Sequence, residues 1–164
     1  MQNHMKGLED FFAHELQDLY SAEKQIIEAM PRMIEMTENA KLRQGFEKHL
    51  KQTQEHKRRI EQICDELGIK LDGMVCQGMK GVLKEGEEIL KMEAEPEVKD
   101  AAMITAAQRV EHYEMAGYGA ARTHAQLLQY EDAAKLLQKT LDEEGMTDHE
   151  LTKLAEEKIN KSAV

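Results

Sequence analysis

Apolar residues recur along this chain at alternating steps of four and three, the spacing that lines one face of an α-helix. The first such stripe is Phe12, Leu16, Leu19, Glu23, Ile26, Met30 and Met33, and it predicts a helix from about Leu8 to Met36. Pro31 falls inside it. Proline removes one backbone hydrogen bond and crowds the preceding turn, so a bend is expected near Ile27. After a short turn at Thr37-Glu38-Asn39, the second stripe runs Leu42, Phe46, His49, Thr53, His56, Ile60, Ile63 and Leu67. Gly68 stands where a left-handed residue closes a helix. A link of about thirty residues follows, with one shorter amphipathic piece from Val75 to Lys91 that turns Met79, Val82, Leu83, Ile89 and Leu90 inward. Pro96 suits the first turn of a third long helix, where its missing N–H is not needed. That helix carries Ile104, Ala107, Glu111, Glu114, Tyr118, Ala121, Ala125 and Leu128 on its stripe. Gly117 and Gly119 beside it permit either a close helix approach or a local bulge. Gln129-Tyr130-Glu131 is a brief break, and the last stripe is Ala133, Leu137, Thr140, Glu144, Thr147, Leu151 and Leu154.

The connections are short, long and short. Helices one and two therefore form an antiparallel hairpin, and so do the last two. The long link carries the chain back along the bundle before the third long helix begins. The predicted fold is all-α: a four-helix bundle of the ferritin-like kind, with one long crossover carrying a short extra helix, in a single domain over residues 1–164. An up-down bundle with a loose insert is the alternative.

Composition agrees with this pattern. There are 2 Pro and 10 Gly in 164 residues, no Trp, and an abundance of good helix formers. Net charge is -10, from 22 Lys and Arg against 32 Asp and Glu. An acidic surface repels phosphate backbones and anionic lipid, so nucleic acid is not an expected partner. Lys48, Lys51, Lys57, Arg58 and Arg59 cluster at spacings that suit a solvated helix face. No apolar run approaches the ~20 residues that span a bilayer, and MQNHMKGLEDFF has no signal-peptide core. Cys64 and Cys76 form no metal pattern and read as packed thiols, which suits a reducing cytoplasm.

The polar interruptions of the stripes carry the chemistry. Glu23 interrupts the first; His49, Thr53 and His56 the second; Glu111 and Glu114 the third; Glu144 and Thr147 the fourth. Each lies near the middle of its helix. Antiparallel helices of similar length share a mid-level, so these side chains are expected to meet in one slice of the core. Ionised carboxylates there would each cost several kcal/mol and would repel one another. No Lys or Arg stands at that level on the stripes. The compensating positive charge is therefore protons or divalent metal ions. Carboxylate with imidazole suits iron, manganese or zinc, and the number of carboxylates favours two ions. Glu143 competes with Glu144 as the inward residue. His4, His14, His124 and His149 fall off the stripes, and His112 points away from them.

The runs DLYSAEKQ, FEKHLKQT, DAAMITAAQRVEHYEMAGYGAARTHA and AAKLLQKTLDEEGMTD also resemble the ferritin-like family of the bacterial stress proteins YciE and YciF. The similarity extends from Leu8 to about Glu157, and AAQ-x-VEHYE is its most distinctive part. The resemblance implies a ferritin-like bundle, a homodimer, a cytoplasmic setting and induction under stress. More distantly, the fold resembles rubrerythrin, whose di-iron site takes Glu from helix one, Glu-x-x-His from helices two and four, and Glu-x-x-Glu from helix three. Glu23 fits the first role, and Glu111 with Glu114 the third. In helix two Thr53 replaces the bridging Glu ahead of His56, and in helix four Thr147 replaces the His that follows Glu144. Asp148 is the nearest substitute for that missing ligand.

The expected function is that of a di-metal carboxylate protein holding iron or manganese on Glu23, His56, Glu111, Glu114 and Glu144, with O2 or peroxide as small-molecule substrate. Tyr118, one turn beyond Glu114, is expected to pack in the core with its hydroxyl satisfied. The alternative is a non-enzymatic dimeric structural or interaction protein with a degraded or empty site. A small iron-storage shell is a third reading.

Overall fold

A computed structural model describes residues 5–164, and His4 lies outside them. The described chain is helical with short joints: α1 (Leu8–Met36), α2 (Ala40–Leu67), α3 (Gln77–Lys91), α4 (Pro96–Leu127) and α5 (Glu131–Leu154). A π-helical stretch, Ala155–Ile159, and a last short helix, α6 (Asn160–Ser162), continue α5.

Local chemistry sets the joints. Pro31 lies inside α1 and does not end it. The Asn39 side chain caps α2 by accepting from the backbone N–H groups of Lys41 and Leu42. Gly68 closes α2 with φ 69°, the left-handed conformation that glycine adopts without a Cβ clash. The crossover helix α3 begins at Gln77 rather than Val75, which is exposed. Cys76 supplies its cap, the thiol sulfur accepting from the Met79 N–H at 3.4 Å. Both cysteines are free and buried. Pro96 is the first residue of α4.

The four long helices pack so that neighbours run antiparallel. Tyr20 of α1 donates to Glu61 of α2, and Glu15 and Glu23 of α1 meet His124 and Tyr118 of α4. Lys48 and Arg59 of α2 meet Glu150 and Glu143 of α5. Gln108 of α4 donates to Thr152 of α5. The crossover makes α2 and α4 parallel across a diagonal, as the ferritin-like arrangement requires. At Gly117 the helix stays regular and α1 comes close: a Cβ there would stand 2.8 Å from the Leu19 side chain. Glycine thus serves close approach rather than a bulge. Among the described residues no helix is long and apolar enough to cross a membrane.

The core is divided. One apolar cluster gathers Phe12, Leu16, Leu19, Ile60, Ile63, Ala121, Ala125 and Leu137 at one end. A second gathers Ile26, Met30, Leu42, Phe46, Met103, Ile104 and Leu151 at the other. Between them lie Glu23, His49, Thr53, His56, Glu111, Glu114, Thr140, Glu144 and Thr147, all buried. A polar slab crosses the bundle at mid-height.

Candidate metal centre

Each wall of this slab comes from the middle of one long helix. Apolar side chains on both sides of each polar residue fix the rotation of the helix about its axis, so the polar residue has no route out. Glu23, His56, Glu114 and Glu144 are completely buried, and Glu111 and His49 nearly so. The rotation of α5 decides between neighbouring candidates: Glu144 faces the slab, while Glu143 sits at its edge, partly exposed.

Two donor groups result. His49, Glu111, Glu114 and Glu144 each offer an atom within 4.8 Å of the others, and so do Glu23, His56 and Glu144. Glu144 belongs to both. His49 Nε2 lies 2.9 Å from Glu111 Oε1 and 3.9 Å from Glu144 Oε2. His56 Nδ1 lies 2.8 Å from Glu144 Oε1 and 3.6 Å from Glu23 Oε1. These imidazole nitrogens are close to carboxylate oxygens yet lack hydrogen-bond alignment with them. His49 Nε2, His56 Nδ1, one oxygen each of Glu23 and Glu111, and both oxygens of Glu114 and Glu144 have no partner. Buried polar atoms in folded proteins are nearly always paired. Here a whole set is unpaired and aimed at common space, which suits donors that share a cation.

The titration behaviour follows from the same geometry. Burial first, then the Glu144 charge, pushes the Glu111 and Glu114 carboxyls well above the usual range. Burial also raises Glu23. Burial opposes a charge on His56, but Glu144 and Glu23 outweigh it and hold the imidazolium well above its ordinary pKa. Burial likewise disfavours the Glu144 carboxylate, but the Glu111 proton and His56 hold it down in pKa. Burial lowers His49, leaving it neutral. In the metal-free chain, protons on Glu111, Glu114 and His56 offset the carboxylate charge of the slab.

The five acidic and imidazole residues expected from the sequence, Glu23, His56, Glu111, Glu114 and Glu144, are brought together. His49 joins them, although the sequence reading left it without a donor role. Its signal was there: it lies on the same α2 stripe as His56, seven residues earlier. Thr53 and Thr147 line the slab; the Thr53 hydroxyl donates to the backbone carbonyl of His49, and that of Thr147 lies between the Glu143 carbonyl and His49 Nδ1. Asp148 does not stand in for a fourth-helix ligand; it accepts from Gln108 and pairs with the exposed His112 at 3.2 Å. Arg59 departs from the expectation of a solvated basic face. It is buried, with both terminal guanidinium nitrogens on Glu143 at 2.7 and 3.0 Å. Tyr118 is a buried tyrosine whose hydroxyl donates to Glu23.

The family model for a domain of unknown function, DUF892, matches residues 7–164. The chain belongs to the DUF892 family. This DUF892 chain is 46% identical over 160 residues to the protein YciF of Escherichia coli K12, covering 97% of the chain and 96% of YciF. The crystal structure of the E. coli stress protein YciF matches it with a TM-score of 0.92, over 96% of this chain and 99% of that one. YcfI from Rhodopseudomonas palustris matches at 38% identity with a TM-score of 0.89, over 93% and 97% of the two chains. A protein from Xanthomonas campestris pv. campestris, 17% identical with a TM-score of 0.74, shares the fold. The DUF892 chain is thus a homologue of a stress protein, with a buried His/Glu cluster of a composition that can hold a metal ion.

Proposed function

We propose that this protein is a di-metal carboxylate protein of the bacterial stress response, binding iron or manganese and acting on metal or peroxide. The observation that carries the reading is the pair of buried donor groups sharing Glu144. The charge balance supports two ions. Glu23, Glu111, Glu114 and Glu144 supply four negative charges, the imidazoles are neutral ligands, and two divalent cations neutralise the set. One group would be His49, Glu111, Glu114 and Glu144; the other, Glu23, His56 and Glu144. Iron or manganese bound there supplies one-electron chemistry toward O2 or peroxide. The residues of the chain do the remaining tasks. The two apolar clusters exclude bulk water from above and below the slab. The Tyr118 hydroxyl holds Glu23. Displaced protons leave from the carboxyls and from His56. A homodimer and a cytoplasmic setting accompany the reading.

A second reading has its own support. Thr53 and Thr147 stand in the slab where a carboxylate or imidazole ligand would complete it, which suits a dimeric structural protein that keeps the bundle after losing metal chemistry. Elemental analysis of freshly purified protein separates the two. The metal reading predicts about two iron or manganese ions per chain and peroxide consumption, both lost on combining Glu111→Gln and Glu114→Gln. No bound metal in wild type, with the double variant melting higher because neutral amides relieve buried repulsion, would establish the structural reading instead.

A further inference from the structure

We propose that Glu143, clamped by Arg59, is a positioning residue that holds the His56 ring so that Nδ1 faces the Glu23/Glu144 subsite; the inference rests on the metal reading above. His56 reaches in two directions. Its Nε2 lies 2.8 Å from Glu143 Oε2 with hydrogen-bond alignment. Its Nδ1 lies 2.8 Å from Glu144 Oε1 without it. One ring nitrogen is thus committed outward to a hydrogen bond, and the other is turned into the cluster.

The acceptor on the outward side is itself held. Arg59 donates from Nη1 to Glu143 Oε2 at 2.7 Å and from Nη2 to Glu143 Oε1 at 3.0 Å, a two-point fork that fixes the plane of the carboxylate. The same Nη1 donates to Thr140 Oγ1 at 3.0 Å, one turn along α5. Glu143 Oε2 thus takes hydrogen bonds from both Arg59 and the His56 ring, and the fork leaves it no freedom to turn away from Nε2. A carboxylate acceptor on Nε2 keeps the proton at Nε2. Nδ1 is then the atom that can give up its proton and present a lone pair. Imidazole ligands in metalloproteins are characteristically oriented by such an outer acceptor, whose loss costs about 10- to 100-fold in affinity. His49 has no equivalent: its Nδ1 faces the neutral Thr147 hydroxyl at 3.3 Å. The two donor groups therefore differ in support, and the effect of Glu143 belongs to one of them.

Co2+ binding to the full-length chain, followed by equilibrium dialysis and visible absorption, tests this with Glu143→Leu and Glu143→Gln. The expected result for Glu143→Leu is two unequal ions, one about 10- to 100-fold weaker than in wild type and the other unchanged. Glu143→Gln keeps a carbonyl acceptor at the same place and should bind both ions within a few-fold of wild type, a rescue that general loosening of the bundle would not give. Long-range proton–nitrogen NMR of 15N-labelled, metal-free protein gives an independent readout: the proton on His56 Nε2 should exchange slowly in wild type and Glu143→Gln and rapidly in Glu143→Leu. Unaltered Co2+ affinity in Glu143→Leu, equal weakening of both ions, or unchanged exchange at Nε2 would each overturn the inference. Wild type that takes up no Co2+ would instead overturn the metal reading, and the exchange measurement alone would then decide whether Glu143 holds the ring.

Discussion

Replacing Glu114 by glutamine should make the metal-free protein more stable, and increasingly so as pH rises. Both Glu114 oxygens are buried without a partner, and burial with neighbouring carboxylates pushes its pKa well above the usual value. The folded chain keeps this proton to higher pH than the unfolded chain does. A carboxyl raised in the folded state contributes its stability in full below the unfolded pKa, and loses it as pH climbs toward the folded pKa. The slope is about 1.4 kcal/mol per pH unit for one group. Between the unfolded pKa and the raised folded one, Glu114 should therefore cost wild type progressively more with each step in pH relative to a glutamine that cannot ionise. Glu23, Glu111, Glu144, His49 and His56 are common to both chains, so the difference between them reports position 114 together with its coupling to the neighbouring carboxyls. Urea unfolding of chelator-treated protein at three pH values, followed by circular dichroism, reads it directly. Parallel pH dependences for wild type and Glu114→Gln would refute the reasoning, because they would mean that Glu114 ionises in the folded chain as freely as in the unfolded one.

Other consequences are equally open to measurement. Loading the chain with two divalent ions should expel about three protons, from Glu111, Glu114 and His56; calorimetry in buffers of different ionisation enthalpy counts them, and a count near zero would contradict the assigned protonation. The sign for binding is opposite to that for metal-free stability, so metal affinity should rise with pH. Asp100, buried on α4, accepts from the backbone N–H groups of Glu38 at 3.1 Å and Asn39 at 2.7 Å, tying the α1–α2 turn to α4. Asp100→Ala leaves both donors unpaired and should cost about 2–4 kcal/mol in urea unfolding. Gly68→Ala forces a Cβ into a left-handed conformation at φ 69° and should cost about 1 kcal/mol by the same assay.

The bundle was legible because its signals are long and redundant. Each main helix repeats its stripe over many turns, and Gly68, Asn39 and Pro96 mark ends by backbone chemistry that needs no partner. The level of the site was legible for the same reason: a polar residue flanked on its own stripe by apolar ones has only one direction to face. What the stripes concealed depends on contacts between helices. Glu143 and Glu144 differ by one residue, about 100° of rotation, and only the seating of α5 against α2 and α4 chooses between them. Arg59 looked solvated because its neighbours Lys57 and Arg58 are; its burial comes from Glu143, eighty-four residues away in the chain. His49 and His56 share a stripe, and their division between two donor groups rests on what faces each ring. Cys76 was read as packing, whereas it also caps α3.

The central claim is that the slab between the two apolar clusters is a binuclear cation site organised around Glu144. Anomalous scattering from a crystal of protein purified with its metal in place, recorded on both sides of the absorption edge, tests it most directly. The account predicts two peaks, one among His49, Glu111, Glu114 and Glu144 and the other among Glu23, His56 and Glu144. Anomalous density absent from the slab, with the carboxyls instead closed on one another through shared protons, would contradict it.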